Sequence, residues 1–166
     1  MPTIEPITKA SVPRALEKAM RYRLLNEPVE AESICLDILA VDPANQDALT
    51  CMLLALTDQF IDSGAGRLLA DAKRLLPELT GDYERAYYAG IIHERFAKRQ
   101  IKHGLAGPDA GAYHSLIDAI RHFERARSLA PAGNDDATLR LNTCVRVIER
   151  NRLSAPEPDS RELPLE

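Results

Sequence analysis

The chain has 166 residues, 45% of them hydrophobic, a formal net charge of −4 and only eight aromatics, none of them tryptophan. That is one domain's worth of chain with room for a sizeable core, and the acidic balance argues against a general nucleic-acid or anionic-membrane binder. No uncharged apolar run approaches the roughly 18–20 residues of a membrane span. Residues 1–13 lack a basic start followed by an apolar stretch, so no secretory leader is expected. Cys35, Cys51 and Cys144 are odd in number, far apart and lodged in helical patterns. They are expected as buried free thiols rather than a disulfide framework, which implies a reducing, cytoplasmic setting.

In chain order, residues 1–11 hold two prolines and no period, and predict an extended or disordered lead. A first helix is expected over Pro13–Leu25, with Ser11 as its cap, followed by the turn Asn26-Glu27-Pro28. A second covers Val29–Val41 and is closed by Asp42-Pro43. The third, Asn45–Asp62, is the most apolar, and a helix apolar over so much of its circumference must be sandwiched between neighbours. Ser63-Gly64 punctuates before a fourth helix, Ala65–Leu76. Asp82 caps a fifth, whose pattern runs unusually far, from Tyr83 to His103. Gly104–Gly111 reads as a loop, with three glycines and a proline. A sixth helix spans Ala112–Pro131 and a seventh Asp136–Asn151. The proline-containing acidic tail, residues 152–166, is expected to be disordered.

One frame recurs through these helices: a small residue, three variable, a large apolar, two variable, small or apolar again, four variable, proline. Ala31, Cys35, Ile38 and Pro43 hold it first, then Ala65, Leu69, Ala72 and Pro77, then Ala119, Phe123, Ala126 and Pro131. The closing prolines are 34 and then 54 residues apart, the second spacing being the first plus an insertion of 20. Small residues let one helix approach another closely, the large residue fills the gap a turn later, and proline stops the second helix.

This frame resembles the second half of the tetratricopeptide repeat; Ala19 and Tyr22, and Ala89-Gly90 with His93, match places in its first half. The resemblance covers residues 12–131. It implies an all-α right-handed superhelix of about three helix-turn-helix repeats (12–45, 46–79, and 80–133 with the insertion near 98–113). Stacked repeats leave an open apolar face at the end, and a helix over 135–151 is placed to cap it within a domain of residues 12–151. The resemblance also implies a concave groove for a peptide or helix of a partner protein. The matching positions are Leu16, Met20, Asp47, Thr50, Leu54, Asp58, Tyr87, Ile91 and Arg95. Members that clamp a C-terminal carboxylate use Lys, Asn and Arg where this chain has Leu16, Met20, Thr50 and Leu54, so that clamp is absent. A mixed apolar and acidic floor suggests an apolar segment with basic flanks.

Arg95, Lys98, Arg99, Lys102 and His103 share a face of the fifth helix. They are either a docking stripe for an acidic partner or a solvated face favoured by the helix dipole. With no aromatics interleaved, nucleic acid is not an expected partner. His114, Asp118 and His122 share a face of the sixth helix, but the outer two are about 12 Å apart along the axis at 1.5 Å per residue, too far for one ion. Glu94 and Glu124 read as ordinary surface acids. The sequence contains no phosphate loop, HExxH, CxxC or nucleophile elbow. The expected function is therefore a non-enzymatic interaction module needing no cofactor or metal. The alternative is a self-assembling homo-oligomer that uses the long fifth helix and the insertion.

Overall fold

The computed structural model describes residues 1–62, 64–104 and 111–155. Among these residues the chain is all-α: α1 (Val12–Leu24), α2 (Pro28–Val41), α3 (Gln46–Asp58), α4 (Ala65–Leu75), α5 (Asp82–Lys102), α6 (Gly111–Leu129) and α7 (Asp136–Asn151). Short 3-10 turns precede α1 and follow α3 and α4. The expected loop therefore shrinks from its C-terminal end, because Gly111 already opens α6. Residues 105–110 of that loop, Ser63 and the tail from 156 lie outside the described residues.

Local chemistry sets several helix ends. Pro28 stands first in α2, where its missing N–H costs no helical hydrogen bond. Asn45 caps α3 by accepting from the Ala48 amide at 2.9 Å. Two expected caps are different: the Ser11 hydroxyl donates back to the Thr8 carbonyl at 2.8 Å, and Gly81 precedes α5 while Asp82 is its first residue. The last residues of α1 and α7 close similarly. Asn26 and Arg152 adopt left-handed backbone at φ 61° and 52°. The next amides, of Glu27 and Leu153, reach back to the carbonyls of Tyr22 and Ile148 at 2.9 and 3.0 Å.

Consecutive helices pack on one another; in addition α1 packs on α3, and α3 on α5. These three form a row, and α6 and α7 follow α5 in series. Gln46, at the start of α3, ties the row to the turn before α5. Its side chain donates to the Glu78 carbonyl at 3.2 Å and accepts from the Thr80 amide at 2.9 Å. The principal core lies among the first five helices, around Ala19, Ala31, Cys35, Leu53, Leu56, Phe60, Leu68, Ala72 and Ile92. A second core joins α5, α6 and α7 around Ile91, Leu116, Phe123 and Cys144. Each large apolar side chain so buried contributes about 1.5–3 kcal/mol.

The recurring frame supplies these contacts. Ala31, Cys35 and Ile38, then Ala65 and Ala72, then Ala119, Phe123 and Ala126 are all buried. In the second frame Leu68 takes the core place and Leu69 is only half-buried. Gly90 shows why one place had to be small: a Cβ there would come within 2.5 Å of the Phe123 ring. The three cysteines are buried free thiols. The neighbouring Cys51 thiol together with burial raises the Cys35 pKa; burial, with Glu94 beside it, pushes the Cys144 thiol up to about 12.

His93 of α5 stacks on His122 of α6, with ring centroids 5.3 Å apart and 23° between planes. Burial lowers the His93 pKa, helped by Lys73 and His122 and opposed by Asp118. Burial also lowers that of His122, with Asp118 opposing and Arg125 and Lys73 assisting.

Two predictions follow from this packing. Gly90→Ala is expected to destabilise by about 1–2 kcal/mol in urea unfolding, overpacking against Phe123 outweighing alanine's better helix propensity. Phe123→Leu should relieve part of that cost, so the double variant is less than additive; a stabilised Gly90→Ala would refute the close approach. For the histidines, the folded pKa lies below the unfolded value of about 6.5, so the unfolded chain takes up protons first. Their contribution is then complete above about pH 6.5 and drains as pH falls toward the folded values. His122→Phe should unfold with a smaller loss of urea midpoint between about pH 7.5 and 5.5 than the wild type.

Candidate functional site

The row formed by α1, α3 and α5 carries most of the residues expected to line a groove. Leu16, Met20, Asp47, Thr50 and Leu54 come together, with Arg23, Cys51 and Tyr88, around an open groove of about 320 Å3 between α1 and α3. Met20 is 53% exposed on its wall, Asp47 is exposed at its rim, and Leu16, Thr50 and Leu54 are half-buried. The spacing of these residues on two helices explains the arrangement: Leu16, Met20 and Arg23 follow one stripe of α1, and Asp47, Thr50 and Leu54 one stripe of α3. Tyr88, reaching in from α5, has its phenol pKa raised by burial, against an opposing hydrogen bond with Thr50. Sequence reasoning missed Tyr88, Cys51 and Arg23. Arg23 was legible in principle, one helical turn beyond Met20 on the same stripe.

Asp58 and Arg95 are not free groove residues. One Asp58 oxygen accepts from Arg23 of α1 at 2.8 Å and the other from Arg95 of α5 at 2.6 Å. Arg95 also donates to the Thr57 hydroxyl and, at 3.1 Å, to the Leu54 carbonyl. Burial draws the Arg95 pKa below its usual range while Asp58 pulls it back up. The expected acidic floor is therefore reduced to Asp47 at the rim, because Asp58 is neutralised by the two arginines that flank it.

Two expectations are overturned. Ile91 is 1% exposed and packs with Phe123 and Cys144 where α7 closes over α5 and α6, so it belongs to the core and not to a groove. Tyr87 is half-buried beside it, stacked on Tyr83 with centroids 5.6 Å apart and edge-on to Phe123. Glu94, read from sequence as a surface acid, is 0% exposed. It accepts from Lys98 one turn on and from Arg140 of α7 at 3.4 Å. A buried carboxylate has to be paired in this way to stay charged.

The basic face of α5 is used inside the molecule. Arg95 pairs with Asp58, Lys98 with Glu94, and Lys102 with Asp62 at 3.7 Å, while His103 meets the Ile61 carbonyl at 2.9 Å. Among the described residues, Arg99 Nε is the one buried side-chain polar atom without a partner. The three polar residues of α6 do not converge: His114 is exposed against Tyr113, Asp118 pairs with Arg121, and His122 turns to His93. Among the described residues no group of three potential ligands is arranged to hold a metal ion, and no helix is long and apolar enough to cross a membrane.

Comparison of the chain with protein-family models, curated proteins and solved structures returned no match.

The buried ion pair predicts its own test. Arg140→Ala leaves Glu94 with Lys98 alone and should destabilise by about 2 kcal/mol, below the roughly 3–5 kcal/mol of a fully buried broken pair because Arg140 is partly solvated. Adding Glu94→Gln should recover much of that loss. Equal destabilisation in both variants would mean the pair is not coupled.

Proposed function

We propose that this chain is a non-enzymatic protein-interaction module of the tetratricopeptide-repeat type. It binds a peptide or helix of a partner protein in the groove between α1 and α3. The observation that carries this reading is the groove itself: five positions chosen by the repeat frame line one open hollow, in which Leu16, Met20 and Leu54 supply apolar surface beside polar Asp47 and Thr50. The row of α1, α3 and α5, the buried alanines of the frame and the Gly90–Phe123 approach are consistent with stacked helical pairs ending in α7 as a cap. Mechanistically, the groove exists before binding. Its walls are held by the Arg23–Asp58–Arg95 bridge, so the conformational cost of association falls mainly on the partner. An apolar partner side chain would seat against Leu16, Met20 and Leu54, with Asp47 and Thr50 offering polar contacts at the edge.

The experiment is affinity purification from the native host, followed by binding with the purified partner. Wild type and Leu36→Arg, a change at a 54%-exposed site outside the groove, should bind alike. Leu54→Arg should weaken binding about tenfold or more, roughly 1.4 kcal/mol. Met20→Arg, at an exposed wall position, provides a second block with little risk to folding. Recovery of the chain alone, with a mass that rises with concentration, would overturn this reading in favour of self-assembly.

A further inference from the structure

Beside the groove lies a second hollow of about 250 Å3, lined by Thr57, Asp58, Ile61, Arg95, Lys98 and Arg140. The two are joined through the Asp58 bridge, since Arg23 lines the groove while Asp58 and Arg95 line the hollow. Leu54 spans both, with its side chain in the groove and its carbonyl bonded to Arg95.

Four cations, Arg23, Arg95, Lys98 and Arg140, stand here around two carboxylates, Asp58 and Glu94. That is a surplus of two positive charges in a chain whose net charge is −4. Both carboxylates are committed. Each Asp58 oxygen faces one arginine, and Glu94 is sealed from solvent between Lys98 and Arg140. Arg95 makes its recorded bonds to Asp58, Thr57 and Leu54 through Nη1 alone. Among the described residues its Nε and Nη2 have no hydrogen-bond partner, and neither is a buried orphan, so both keep contact with solvent in a residue that lines the hollow. After burial and the opposing pull of Asp58, the influences on Arg95 include repulsion from Arg140 and Arg23, as expected where cations outnumber their counter-charges.

We propose that this hollow receives a side-chain carboxylate of the same partner polypeptide whose apolar residues seat in the adjoining groove. The recognised segment is then acidic and apolar, the reverse of the basic flanks expected from sequence. The inference rests on the groove reading. A carboxylate suits the site because guanidinium groups pair with it through two parallel bonds, and because its negative charge offsets half of the surplus of two.

The test uses two synthetic peptides of about 14 residues with the same helical leucine stripe, one carrying glutamate and the other lysine at the remaining positions. Binding to the full chain is read by fluorescence anisotropy. The acidic peptide should bind at least about tenfold tighter at about 50 mM salt and lose that advantage at about 300 mM. Ile61→Glu places a carboxylate in the hollow and should weaken acidic-peptide binding about tenfold. Ile61→Lys should preserve or strengthen it, and because both changes burden the same half-buried site, the contrast reports charge and not folding. Equal affinity for the two peptides, or no difference between the Ile61 variants, would overturn the carboxylate site. If Thr50→Phe still blocks binding in that case, the groove reading survives alone. No binding of either peptide to wild type also overturns the proposal, leaving the groove to be judged by the native partner. Protection of the hollow by inorganic phosphate without acidic-peptide binding would assign it to the free ion and overturn it too.

Discussion

Asp58 lies between two arginines from the helices on either side of its own, and the arrangement of the row depends on that one carboxylate. Without it, Arg23 and Arg95 would face each other as unscreened like charges; with it, α1, α3 and α5 are pinned at a common level. A lone exposed ion pair contributes little to stability. This bridge differs because all three side chains are about four-fifths buried, at 21%, 23% and 20% exposure, and Arg95 is further bonded to Thr57 and Leu54. The bridge also divides the exposed face of the row. On one side remains a groove of mixed polarity walled by α1 and α3, on the other a cation-rich hollow at α5.

α7 contributes in a second way. By adding its own Cys144 to the cluster around Ile91 it extends the core past α6, and by presenting Arg140 to Glu94 it fixes where along α5 it can sit. A buried acid is a poor source of net stability, since desolvation opposes the Coulomb gain. Its effect is selective: any register of α7 that moved Arg140 away would leave Lys98 as the remaining recorded partner of a fully buried carboxylate. The same contact places Arg140 in the lining of the hollow, so the helix that finishes the core also shapes the surface beside the groove.

The fate of the basic stripe on α5 shows how far charge can mislead when read along one helix. Arg95, Lys98, Lys102 and His103 do share a face, but other elements supply Asp58, Asp62 and the Ile61 carbonyl to meet three of them, and Glu94 on α5 itself meets Lys98. What stays unbalanced is the surplus around the hollow, to which only Arg95 and Lys98 of the stripe belong. The groove is the converse case. There the helical spacing of Leu16 with Met20, and of Asp47 with Thr50 and Leu54, carried through to one open surface, because no later element among the described residues covers it.

The sequence alone determined that the chain is helical, where its helices start and stop to within a few residues, and which small residues lie at their contacts. These depend on period, proline and residue size, all of which act over a turn or two of chain. It also marked five of the groove residues, since stripes on α1 and α3 follow from the same period. Only the tertiary structure decided that Ile91 is core, that Glu94 is buried, that Asp58 is neutralised and that His122 meets His93. Each of these turns on what a neighbouring helix brings opposite, in two cases from α7, 46 residues along the chain from Glu94 to Arg140. A helical period specifies which residues share a face; crossing and register between helices decide which faces meet water and which meet one another.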